Sequence, residues 1–166
     1  MYEYTASTSN GTNTVTATAA KSGASVAIKV NGQAHTSGSA ATWLIGKNTV
    51  EITVKYGTTV KIYTVSVTKS GTLGSLTVAS AEGEEEGDTA ITVTETLTTG
   101  CVYKYKTDES VDLPELDDDL TAWNDWDGES DITATTGDDI VIAEVSEFNG
   151  LAKKVGKTTV VSNDGD

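Results

Sequence analysis

Five aspartates, Asp117, Asp118, Asp119, Asp125 and Asp127, crowd one stretch of the chain beside Gly128, Glu129 and Asp131. Carboxylate oxygens at this density suit a hard cation such as calcium, which takes about six to eight of them. A helix–loop–helix calcium loop needs oxygen donors at its first, third, fifth and twelfth positions around a central glycine. With Gly128 as that glycine, the first position is Trp123 and the twelfth Ala134, so this template fails at both ends. Two readings stay open for the five aspartates: a calcium site of another shape, and a solvated acidic loop. No cofactor other than calcium is implied.

Other reactive groups are sparse. Glycoside hydrolysis needs two acids about 5–10 Å apart across a cleft, but with 25 acids in 166 residues any pairing is uninformative. His35 is the sole histidine, too little for a zinc site, and no triad can be assembled around it. Cys101 is the sole cysteine, which excludes an intrachain disulfide. Its nearest cations, Lys104 and Lys106, lie in an acidic region, so a buried structural thiol is expected rather than a nucleophile. The expectation is a protein that is not an enzyme.

The aromatic residues are the binding candidates. Trp123 and Trp126 with Tyr103 and Tyr105 could stack against a sugar, or the two Trp could fold back to cap the end of a sandwich. A spacing of three keeps Trp123 and Trp126 off one strand face, so at least one packs inward. Tyr103 and Tyr105 share parity and therefore a face.

The elements that must position these residues are strands. Val26, Ile28 and Val30 alternate into Asn31-Gly32, a tight-turn dipeptide. Val15, Ala17 and Ala19 alternate with Thr, and Val50, Ile52 and Val54 with polar residues. After the Gly57-Thr58 turn, Val60 and Ile62 take one parity while Tyr63, Val65 and Val67 take the other, which predicts a bulge or a change of buried face. Beyond Lys69-Ser70-Gly71-Thr72 come Leu73, Leu76 and Val78, then the acidic run Glu82–Asp88, read as a solvated hairpin loop. Strands are expected at 91–94, 101–105, 132–134, 140–145 and 158–161, around an irregular stretch at 108–130 that holds the single proline, Pro114. Helical periodicity is nowhere sustained over ten residues. The fold expected is all-β: two Ig-like β-sandwich modules in tandem, residues 1–69 and 70–166.

Charge divides the chain at the same place. Residues 1–70 hold six Lys against two acids, a net of +4, and residues 71–166 hold five Lys against twenty-three acids, a net of −18. There is no Arg, so nucleic acid is not an expected partner. No window approaches the roughly eighteen apolar residues of a membrane helix, and the residues after Met1 are polar rather than an export signal, so no membrane partner is expected. The chain reads as made and kept in the cytoplasm, or as a fragment cut from something larger.

Residues 16–24, then Val30-Asn31-Gly32-Gln33-Ala34, the run Leu44–Val54 and the closing Tyr63–Lys69 resemble the bacterial cadherin-like β-sandwich family over about residues 2–69. Such modules begin with a strand ahead of the position of Tyr2-Glu3-Tyr4, so the resemblance implies a sheet edge left for another segment or a partner to fill. In the second module, Val102–Lys106, Trp123–Gly128, Asp131–Gly137, Ile140–Val145 and Lys153–Val161 resemble, in texture and order, β-rich domains of phage virion proteins. That resemblance implies a capsid decoration protein in the virion, made in the host cytoplasm, bound to a major capsid protein or other virion protein and homo-oligomeric on the particle. The alternative is a carbohydrate- or ligand-binding module of a Gram-positive cell-surface protein, where cadherin-like sandwiches also occur.

Overall fold

The computed structural model describes residues 1–165, and the chain in it is all-β, built as tandem β-sandwich modules. Among the described residues no helix is long and apolar enough to cross a membrane. The chain divides into two compact units between Thr72 and Leu73.

In the first unit the strands are β1 (Tyr2–Thr8), β2 (Thr12–Val15), β3 (Ser25–Val30), β4 (Gln33–His35), β5 (Ser39–Thr42), β6 (Gly46–Tyr56) and β7 (Thr59–Lys69). They form a five-stranded sheet of order β1-β7-β6-β3-β4 and a two-stranded sheet of β2 and β5. Asn31 and Gly32 both take positive φ, 47° and 78°, as the tight β3–β4 turn requires. Period-2 alternation places Ile28, Val30, Val50 and Val67 on one face, buried with Ala41 and Trp43.

Asn48 is the polar pin of this core. Its side-chain amide donates to Leu44 O and Gly46 O at 2.8 and 3.0 Å, and its Oδ1 accepts from Leu44 N and Asn31 Nδ2, both at 2.9 Å. Asn48→Ala would leave several buried polar groups unpaired at once. It is expected to destabilise the first unit by about 3 kcal/mol, measured by denaturant unfolding with amide exchange at Val50 and Val67.

Two sequence expectations change here. The Val15–Ala19 alternation is a strand only over Thr12–Val15. β7 carries no bulge: it runs against β6 in unbroken register, and Val60 simply stands exposed on the outer face. β1, which the sequence did not announce, pairs with β7 in parallel, from Tyr2↔Tyr63 to Thr8↔Lys69, so the sheet edge left for another segment or a partner is the outer side of β1.

The second unit has β8 (Gly74–Ser75), β9 (Val78–Glu82), β10 (Asp88–Val93), β11 (Cys101–Asp108), β12 (Asn124–Trp126), β13 (Ile132–Thr133), β14 (Asp139–Ser146) and β15 (Ala152–Thr159). A sheet of order β12-β11-β14-β15-β8 faces a second of order β13-β10-β9. The acidic run lies in the β9–β10 hairpin, with Thr89 opposite Glu82. Ile140 and Ile142 point into the sandwich, where they meet Leu76, Ile91 and Val160. Their neighbours Val141, Ala143 and Val145 are equally buried on the other side, under Val111, Leu120 and Trp123 of the irregular stretch. That two-sided burial is why β14 reads as a nearly unbroken apolar run. The last strand spans Ala152–Thr159, six residues ahead of the expected start at Thr158, because two of its inward residues are lysines.

Candidate functional site

The structure does not bring the five aspartates together. Asp117 meets Lys153 Nζ at 2.6 Å, and Asp118 accepts from Glu115 N at 2.7 Å. Asp119 accepts from Thr121 N and Oγ1, Asp125 pairs with Lys104 at 2.8 Å, and Asp127 accepts from Glu129 N and Ser130 N. Each carboxylate thus closes its own local turn or ion pair. Among the described residues no group of three or more His, Cys, Asp or Glu stands close enough to hold a metal ion.

Those local bonds leave a titration signature. The Ser130 hydroxyl, helped by the N–H groups of Ser130 and Glu129, holds the Asp127 carboxyl down at about 2. Hydrogen bonds to Thr121 and Lys157 hold Asp119 and Asp139 below the usual carboxylate range as well. With folded pKa values below unfolded ones, these groups favour the fold above about pH 4, and that contribution fades as pH falls toward about 2. Carboxyl resonances followed by NMR through this window should show Asp127 titrating last of the three.

The aromatic candidates are core rather than platform. Tyr103 and Trp126 are buried with their ring centroids 5.4 Å apart, tilted by 42°. Trp126 Nε1 donates to Ser130 O at 2.7 Å and the Tyr103 hydroxyl to Glu95 O at 3.3 Å. Tyr105 packs against the same cluster, whereas Trp123 packs on the opposite face of the sheet, beneath the irregular stretch. Both Trp therefore face inward, each into a different layer.

Two buried ion pairs hold β15 in place. Lys154 reaches Glu144, 1% exposed, at 2.9 Å inside the sandwich, where Glu144 also accepts from Thr98 N. Lys153, its neighbour, points the other way to Asp117. Beside them Cys101 is buried, and burial together with the Glu144 carboxylate pushes its thiol up to about 12. Cys101 should therefore resist iodoacetamide at pH 8 in the native chain and react at the rate of a free thiol only in denaturant. His35 Nε2 sits 3.2 Å from Ser39 O, a local contact within its own hairpin region.

An open concavity lies in the first unit, where the sequence offered no candidate. The two-stranded sheet covers the Val30/Val50/Val67 end of the large sheet and leaves the Val26/Val54 end open. There Tyr4, Tyr56 and Tyr63 join Val54 and Val65 around a groove of about 670 Å³, with Lys21 and Lys61 at its rim. Lys21 Nζ sits 4.1 Å from the centre of the Tyr56 ring, and Tyr2 stacks on Tyr63 at 4.9 Å. The usable signal was the clustering of four of the six tyrosines in this module, in β1, β6 and β7.

Two family profiles match the chain: a cadherin-like β-sandwich domain over residues 1–70, and the S-layer protein SbsC C-terminal domain over residues 81–163. No curated protein is a significant match. Among solved structures, the S-layer protein SbsC, domains 7, 8 and 9, is similar at 19% identity and a TM-score of 0.45, over 83% of this chain and 47% of that one. Domains 4–9 of the surface layer protein SbsC are similar at 17% identity and a TM-score of 0.43, over 83% and 25%. The chain thus spans less than half of either structure. The first profile agrees with the cadherin-like resemblance. The second overturns the virion reading, and with it the capsid decoration role and the major capsid protein as partner, because the residues that suggested a phage protein all fall within 81–163. Matched through half its length, the chain belongs to the family of the S-layer protein SbsC C-terminal domain.

Proposed function

We propose that the chain is a pair of non-catalytic modules of a bacterial surface-layer protein, displayed at the cell surface and assembling with further copies of itself. The family match over residues 81–163 carries this reading. It is the cell-surface alternative of the sequence analysis without its ligand: assembly, rather than sugar capture, is the role, since Tyr103 and Trp126 are committed to the core.

The strand order supports a structural role. In each unit the first strand runs parallel to the last, β1 with β7 and β8 with β15. Tension applied through the two chain ends then acts along such a pair, so its ladder bonds resist together rather than opening one by one. The net charge of −18 on the second module would keep an assembled surface hydrated and mutually repelling. The reactive groups that could serve catalysis are bound up in structure: Cys101 is buried, and Glu144 and Asp117 are ion-paired.

Washed envelopes of the source cells test the reading. The chain should stay with the envelopes through low-salt washes, come off in guanidinium, and form sheets or ribbons when the denaturant is removed. Recovery in the cytosolic fraction after gentle lysis would refute it.

A further inference from the structure

Among the described residues, β1 is the one long sheet edge that the fold leaves unguarded. The other outer strands are short: β4 and β12 have three residues, β8 and β13 two, and β2 and β5 four each. β9 has five residues, but its outer side is tied to the C-terminal segment by Ser80 Oγ and Val161 N at 2.8 Å. β1 runs for seven residues with no Pro, no Lys and no shift of register, and Glu3 is its single charge. It therefore lacks the devices that usually blunt an edge.

The direction of its unpaired groups is fixed. Ser70 N donates to Thr8 O, so Thr8 turns its main-chain groups toward β7. In a parallel ladder alternate residues do the same, which assigns Tyr2, Tyr4, Ala6 and Thr8 to β7 and aims the N–H and C=O of Glu3, Thr5 and Ser7 outward. Among the described residues no strand lies on that side.

We propose that this edge pairs antiparallel with β1 of a second copy of the chain, about a twofold axis through Thr5. This deepens the surface-layer reading and rests on it for its setting, since it names one of the contacts between copies. The sequence Tyr-Glu-Tyr-Thr-Ala-Ser-Thr is compatible with itself in this register. Glu3 lies opposite Ser7 of the other copy, Thr5 opposite Thr5 and Tyr4 opposite Ala6, so no like charges face each other. The three outward-directed residues pair only among themselves, closing about six main-chain hydrogen bonds. A twofold axis perpendicular to the sheet keeps both inner faces on one side. Tyr2 and Tyr4, 46% and 54% exposed, would then continue the apolar groove of one copy into that of the other. The contact is isologous and closed, so it makes a dimer without consuming any other surface.

Thiol cross-linking of the full chain tests this. Thr5→Cys places two thiols across the axis, on Cα atoms about 5.5 Å apart. Ser66→Cys lies on the same exposed face one strand further in, about 14 Å from its mate. With a short bifunctional thiol reagent, T5C should form covalent dimers at least about tenfold faster than S66C, and the native chain, whose Cys101 is buried, should form none. Adding Ser7→Pro removes an outward N–H that β7 does not use, and should slow T5C cross-linking about tenfold while circular dichroism is unchanged. Equal rates for T5C and S66C, or no effect of S7P, would overturn the proposal. Rapid T5C cross-linking by a chain found only in the cytosol would instead overturn the surface-layer reading and leave the edge contact standing.

Discussion

Gly156→Ala is expected to destabilise the second unit by about 3 kcal/mol, at the upper end of what overpacking a core costs. A Cβ on Gly156 would lie 2.3 Å from Leu76 O, 2.5 Å from Val78 Cγ2 and 3.0 Å from Leu76 C. A flexible side-chain tip could move aside, but two of these atoms are backbone, and the segment is anchored. Leu76 N donates to Val155 O at 2.8 Å, and the Leu76 side chain is buried in the main cluster with Ile140 and Ile142. Either β15 or the β8–β9 connection must therefore shift, and the parallel β8–β15 pair lies immediately ahead of that connection. Denaturant unfolding, with amide exchange of Ile140–Val145 as the local readout, measures the loss. A change below about 0.5 kcal/mol, the range of neutral surface substitutions, would mean that the crossover does not press on β15.

Lys154→Met should cost nearly as much, for an electrostatic reason. Glu144 is 1% exposed and would keep only the Thr98 N–H and its neighbours once the ammonium at 2.9 Å is gone. Removing one partner of a buried pair costs about 3–5 kcal/mol because the other charge stays buried. The lower end is expected, since the Lys154 side chain is 27% exposed and admits some water. Replacing both residues, as in K154M/E144L, should recover much of the loss, because an apolar pair of similar volume does not leave a charge stranded. If the double variant is as unstable as the single one, the pair contributes through packing rather than charge.

The same lysines mark the limit of what the sequence disclosed. Alternation and turn chemistry were enough for β3, β6, β7, β10, β11 and β14, because each buries apolar residues at period 2 or in a continuous run, and Asn31-Gly32 fixed a hairpin directly. β15 escaped because Lys153 and Lys154 look like solvent-facing residues, and only their carboxylate partners, 36 and 10 positions away, make them interior. β1 escaped for a related reason. Tyr-Glu-Tyr-Thr has no buried face to announce a strand, and its parallel partner lies some sixty residues downstream.

The candidate site failed on similar grounds. Clustered aspartates suggest a cation when read along the chain, but Asx-type turns and ion pairs disperse them in space. Trp123 and Trp126 were correctly barred from one shared face, but their assignment to opposite layers depends on where the irregular stretch packs. The phage resemblance rested on the order and texture of short strands, features that period-2 β-sandwiches share whatever their origin.

Immunogold labelling of intact, unpermeabilised source cells, with antibodies raised against the whole chain, tests the central claim most directly. The surface-layer account predicts dense label over the entire outer surface of every cell, abolished when the envelope is stripped with guanidinium. Label that appears only after permeabilisation, or that decorates released particles while intact cells stay bare, would contradict it.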